Sequence, residues 1–148
     1  MTDTILLVED NADDEKLTLR ALQMNNTLNP VIIARDGAEA LELLLGTEAQ
    51  PFGLVLLDLR LPKVHGLTVL QRMRADPRTR LTPVVILTSS KEEADLVSGY
   101  AMGVNSYIRK PVDFHRFTEA VAKVGMYWLM LNEVPPPMSA PALAAAQP

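Results

Sequence analysis

Four short apolar runs punctuate the chain, each ending abruptly in polar or turn residues: TILLVED (4–10), PVIIARD (30–36), GLVLLDL (53–59) and PVVILTSS (83–90). A weaker fifth, VNSYIRKP (104–111), follows. Their apolar residues are consecutive rather than alternate. Strict alternation marks a strand with one wet face, so these runs predict strands covered on both faces. Between them the apolar positions fall at helical spacing. Residues 12–25 carry Ala12, Leu17, Leu19, Leu22 and Met24, and GAEALELLLG (37–46) has a glycine at each end. Residues 66–75 carry Leu67, Val69, Leu70 and Met73 and stop before Asp76-Pro77. A fourth helix is expected over 91–102, with Ser89-Ser90 as its N-cap and Glu92 and Glu93 in its first turn. The longest, 112–131, comes last.

Strand and helix thus alternate five times. The pattern predicts an α/β fold, a doubly wound five-stranded parallel sheet with five helices on its two faces, because right-handed crossovers lay each helix against the sheet. The folded domain is expected to occupy residues 1–131. Beyond it NEVPPPMSAPALAAAQP (132–148) has prolines that forbid helix continuation and no core-forming pattern, so this Pro/Ala-rich tail is expected to be disordered or loosely attached.

Composition narrows the function classes. A chain of 148 residues has room for one packed core and not two. Its net charge of −4 comes without a basic patch or arginine-rich stripe, which argues against a nucleic-acid partner. The absence of cysteine excludes disulfides, zinc-thiolate sites and thiol catalysis, and is compatible with the cytoplasmic location we expect. The N-terminus has no basic segment ahead of its short apolar run, so no signal peptide is expected, and no stretch approaches a membrane span.

One stretch is at odds with simple burial. In GLVLLDLRLPKVHG (53–66) an apolar run delivers Asp58 directly into a turn. Burying a lone carboxylate there costs on the order of several kcal/mol unless it is paired or binds metal. In open parallel sheets functional groups gather beyond the carboxyl ends of the strands. That rule collects Glu9, Asp10, Asp58, Thr88 and Lys110. Taken singly, Glu9-Asp10 could cap the first helix, Asp58 could begin a turn and Lys110 could be surface charge. Taken jointly, three carboxylates around one crevice call for a cation, and oxygen-only ligands favour a hard ion, Mg or a substitute such as Mn.

The order LLVEDNADDE, VLLDLRLPKVHG, VVILTSS, YIRKP resembles the receiver domain of two-component response regulators over residues 4 to 125. The resemblance implies a flavodoxin-like strand order 2-1-3-4-5. It makes Asp58 the phospho-acceptor, a carboxylate nucleophile exposed at one edge that takes a phosphoryl group from a histidine kinase and later loses it by hydrolysis. It implies Mg held by Asp10 and Asp58, by Glu9 largely through water, and by the backbone carbonyl of Arg60. Lys110 would pair with the phosphoryl group, or with Asp58 in the resting state, Thr88 would donate its hydroxyl to the phosphoryl group, and Ser89 would leave room beside it. Tyr107 would turn inward as Thr88 moves, switching the face made by the fourth helix, fifth strand and fifth helix. Pro62 and Gly66 would shape the loop after Asp58, and Pro111 the turn after Lys110. Such a protein catalyses its own phosphorylation and dephosphorylation but is a signalling protein first.

The last helix adds a surface. GMYWLML (125–131) is apolar around its whole circumference, so Tyr127, Trp128, Met130 and Leu131 are expected to form a homodimer contact with that same face. This end, with the acidic Asp13-Asp14, resembles the stand-alone regulators that partner bacterial phytochrome histidine kinases. Output would come by protein contact or phosphorelay; a phosphate sink or a dimerisation module is the alternative. A haloacid-dehalogenase-type phosphatase is disfavoured because Arg60, two residues after Asp58, cannot protonate a leaving group. A flavodoxin-like cofactor binder is disfavoured because EDNADDE is acidic where a phosphate loop should be electropositive. His65 and His115 are read as non-catalytic, and ADPRTR (75–80) as a solvated loop.

Overall fold

The computed structural model describes residues 4–24, 29–88, 101, 103–104 and 106–109. The strands β1 (Ile5–Val8), β2 (Val31–Ala34), β3 (Leu54–Leu57), β4 (Val84–Thr88) and β5 (Ser106–Arg109) form one parallel sheet in the order β2-β1-β3-β4-β5. Its described helices are α1 (Ala12–Met24), α2 (Gly37–Leu45) and α3 (Gly66–Ala75). Nearly all of the expected fourth helix lies outside the described residues. So do the fifth helix with Tyr127, Trp128, Met130 and Leu131, together with Ser89, Lys110, Pro111, His115 and the tail.

Consecutive apolar residues serve two separate cores. Leu6, Val8, Val55, Leu57, Val84 and Ile86 meet Ala40 and Leu44 of α2 and Val69, Leu70 and Met73 of α3. Ile5, Leu7, Leu54, Leu56, Val85 and Leu87 point the other way and meet Ala21 and Leu22 of α1. Each strand residue is therefore buried whichever face it takes, which is why the runs carry no alternation. β1 and β3 are buried throughout, whereas β2 at the rim of the sheet is half-buried until Ala34. Ile5 registers with Val31 and Leu54, and Val8 with Ala34 and Leu57, so the carboxyl ends of these strands share one edge.

The helix ends follow local chemistry. Asp36 caps α2, its side chain accepting from the Glu39 amide at 2.7 Å, and the Gly46 amide closes the other end on the Glu42 carbonyl at 2.9 Å. The segment ADPRTR is largely exposed, as expected of a solvated loop, but it is pinned at Thr79 and Arg78. Thr79 is buried, its hydroxyl donating to the Met73 carbonyl at 2.7 Å. Arg78 donates to both carboxylate oxygens of Asp76 and to the Leu45 carbonyl at 2.9 Å. Arg78 is spent on ending α3 and tying it to α2.

Arg74 does more of this. Its guanidinium donates to the carbonyls of Thr79, Arg80 and Thr82 at 2.8–3.2 Å, and twice to that of Gly103. One planar fork thus holds the approach to β4 and the turn ahead of β5, and burial pushes its pKa down from the ordinary arginine value. Arg74→Met keeps the stem but strands these carbonyls, and should cost about 2–3 kcal/mol in denaturant unfolding. A variant as stable as wild type would refute the latch.

Asp76 sits below the ordinary 3.8 chiefly because the Arg78 side chain donates to it. A carboxyl depressed in the folded state contributes stability above its unfolded pKa, and loses it as pH falls through the folded value. Asp76→Asn should therefore melt below wild type at neutral pH, with the gap closing below pH 3.8. Parallel melting curves down the acid limb would contradict the assignment.

Candidate functional site

The backbone ladder runs one residue past the strands and delivers two carboxylates to the same edge. The Glu9 amide donates to the Ala34 carbonyl at 2.9 Å, and the Asp58 amide to the Val8 carbonyl at 3.0 Å. Asp10 follows Glu9 into the turn before α1. Glu9, Asp10 and Asp58 each present an oxygen such that all lie within 4.8 Å of one another. Glu9 and Asp58 are buried, only 2% and 7% exposed, and Asp10 is exposed.

Asp58 is thus more enclosed than the exposed nucleophile expected from the sequence. The reason lies in α3. The Gly66 amide donates to the Leu59 carbonyl at 2.8 Å, and a β-carbon on Gly66 would overlap the Asp58 carbonyl oxygen and stand 2.6 Å from Leu59 Cα. The first turn of α3 closes directly over the end of β3, which only glycine permits.

The single-residue alternatives resolve unequally. The cap of α1 is Asn11, whose side chain accepts from the amides of Asp13 and Asp14 at 2.9 and 3.0 Å. Glu9 supports this turn by accepting from the Asn11 amide at 3.2 Å. Asp58 does begin a turn, accepting from the Arg60 amide at 3.3 Å through Oδ1. These bonds do not neutralise three anions: unit charges some 5 Å apart repel by roughly 3 kcal/mol per pair at an effective dielectric near 20. The donor set is carboxylate oxygen throughout, which fits a hard divalent ion and no soft one.

After Asp58 the loop turns sharply. The Leu61 amide donates to the Leu59 carbonyl at 3.1 Å, and the Val64 amide to the Pro62 carbonyl at 2.7 Å across Lys63, whose φ is +67°. His65 caps α3, its Nδ1 accepting from the Leu67 amide at 3.1 Å, so it is occupied at a helix end and stands outside the acidic cluster. Thr88 ends β4 opposite Arg109, and Tyr107 pairs with Ile86, placing β5 beside β4 at the same edge. Asn11, Asp36, Lys63 and Arg74 were missed as structural determinants, and Gly37 was read only as a helix end. Asn11, a capping residue before three acids, and Asp36, three residues before Glu39, carried local signals.

The sequence matches the response regulator receiver domain over residues 5–122. It is 41% identical over 137 residues to the probable methanogenesis regulatory protein FilR2 of Methanothrix harundinacea (strain 6Ac), covering 90% of this chain and 88% of that one. The structure of the bacteriophytochrome response regulator RtBRR is 47% identical, with 98% and 90% of the two chains covered and a TM-score of 0.71. That of the phosphorylated cyanobacterial phytochrome response regulator RcpA is 34% identical, covering 92% and 100%, with a TM-score of 0.85. The Mn(2+)-bound form of Rcp1, a regulator of Synechocystis sp., is 33% identical, covering 90% and 99%, with a TM-score of 0.85. The chain therefore belongs to the receiver-domain response regulators of two-component signalling, close to those of phytochromes.

Proposed function

We propose that this chain accepts a phosphoryl group from the phosphohistidine of a sensor histidine kinase onto Asp58, as a regulator of the single-domain kind. The observation that carries the reading is the convergence of Glu9, Asp10 and Asp58 within 4.8 Å at the carboxyl edge of the sheet. The hard ion we assign is Mg, which Asp10 and Asp58 would hold together with the Arg60 carbonyl and, less directly, Glu9. When bound it supplies the positive charge that lets an anionic nucleophile approach an anionic phosphoryl group.

An Asp58 carboxylate oxygen forms a bond to phosphorus as the phosphorus–nitrogen bond breaks, and the electron pair leaves on the imidazole nitrogen. Glu9, buried and fixed by its backbone bond to β2, keeps the acidic wall in place while Asp58 becomes an acyl phosphate. Lys110 pairs with the phosphoryl oxygens, Thr88 donates its hydroxyl to one of them, and Tyr107 follows Thr88 inward. Hydrolysis then returns the carboxylate and inorganic phosphate. A bacteriophytochrome kinase is the partner we favour, supported by the likeness to RtBRR and RcpA. The homodimer through Tyr127, Trp128, Met130 and Leu131 rests on the sequence pattern alone.

Asp58→Asn should abolish phosphoryl uptake from acetyl phosphate in the presence of Mg, read by intact mass; uptake at another residue would overturn the assignment. EDTA should stop uptake by the wild type, and excess Mg should restore it. A rate indifferent to the chelator would remove metal from the mechanism.

A further inference from the structure

The loop that follows Asp58 is held partly from outside itself. Its tightest point is Lys63, a non-glycine residue at φ +67°, a conformation that persists only where surrounding structure over-determines it. What surrounds it is the start of α2. The Gly37 amide donates to the Pro62 carbonyl at 3.3 Å, so the first residue of α2 satisfies the loop's backbone. Gly37 lies so close to Val64 that a β-carbon would overlap the Val64 carbonyl oxygen and stand 2.6 Å from its Cβ. Lys63 Nζ reaches Asp36 Oδ2 at 3.3 Å, while Oδ1 of the same carboxylate caps α2. That ion pair is exposed and weak, so the contact rests on the backbone and on the missing side chain of Gly37.

Resting on the phospho-acceptor reading above, we propose that Gly37 at the start of α2 is a positioning residue: by seating Pro62–Val64 it fixes the loop that carries Arg60, and so sets how tightly the acidic crevice holds its divalent ion. Only Leu61 lies between Arg60 and Pro62. Toward Asp58 the loop is anchored by the Arg60 and Leu61 amides, and toward α3 by Gly66. Displacing Pro62–Val64 pulls through Leu61 on the peptide that carries the Arg60 carbonyl, while the Glu9 and Asp58 backbones, held by the strand ladder, stay where they are.

The test uses Mn2+ as probe, its free concentration followed by electron paramagnetic resonance on the full chain. Gly37→Ala should weaken Mn2+ binding roughly tenfold, the scale at which partners outside the ligand set act on metal affinity. Gly46→Ala is the control: at the far end of the same helix its β-carbon would overlap the Glu42 carbonyl oxygen, a similar steric fault far along the helix from the loop. It should lower the melting temperature and leave Mn2+ affinity unchanged. Equal affinities in the two variants, whether both normal or both weakened, would overturn the proposal. Should Gly37→Ala fail to fold, the wild type decides. Coupling is reciprocal, so saturating Mn2+ must slow hydrogen exchange at the Gly37 amide and leave the Gly46 amide unchanged. Equal response at both amides would refute the coupling. A wild type that binds no Mn2+ would instead defeat the metal-site reading itself, and this inference with it.

Discussion

Three carboxylates share a space of a few ångströms because the main chain gives them no other place. Glu9 and Asp58 are tied by their amides to the last carbonyls of the neighbouring strands, so relieving their repulsion by retreat would break the sheet ladder. A parallel sheet buried on both faces gives that ladder little room to yield, since the residues of β1 and β3 are each committed to one of two cores. The electrostatic cost is therefore held in place. A cation lowers it, and carboxylate oxygens suit a hard one.

The two edges of the sheet use charge differently. At the carboxyl edge the charges are acids brought together against their repulsion, with a tight loop packed against them. At the amino edge a single arginine, Arg74, gathers carbonyls from the approach to β4 and from Gly103. There the guanidinium replaces secondary structure, satisfying backbone oxygens that have left helix and strand. One edge concentrates repulsion, and the other uses attraction to keep the strands feeding into the sheet in line.

Membership of the receiver family gives these features a common purpose. The receiver fold here pairs a buried frame with a loop whose support comes partly from elsewhere in the fold. Here β1 and β3 are the frame, while the loop from Asp58 to Gly66 leans on α2 through Gly37 and on α3 through Gly66. Both contacts are made where a glycine lets backbone meet backbone.

The consecutive apolar runs determined by themselves that the sheet is parallel and covered on both faces, and the glycine and proline punctuation placed the ends of α2 and α3 closely. The strand-end rule was enough to bring Glu9, Asp10 and Asp58 together, because in a parallel sheet a residue's position along its run states which edge it reaches. Strand order came with the family resemblance, since patterning is blind to neighbours. What only the tertiary structure decided involves partners far apart in sequence: the enclosure of Asp58 under Gly66, Gly37 against Val64, Lys63 with Asp36, and Arg74 with Gly103. Periodicity reports which side of an element faces the core. It carries no information about which backbone oxygen a distant amide or guanidinium will find, because that depends on how the packed elements cross.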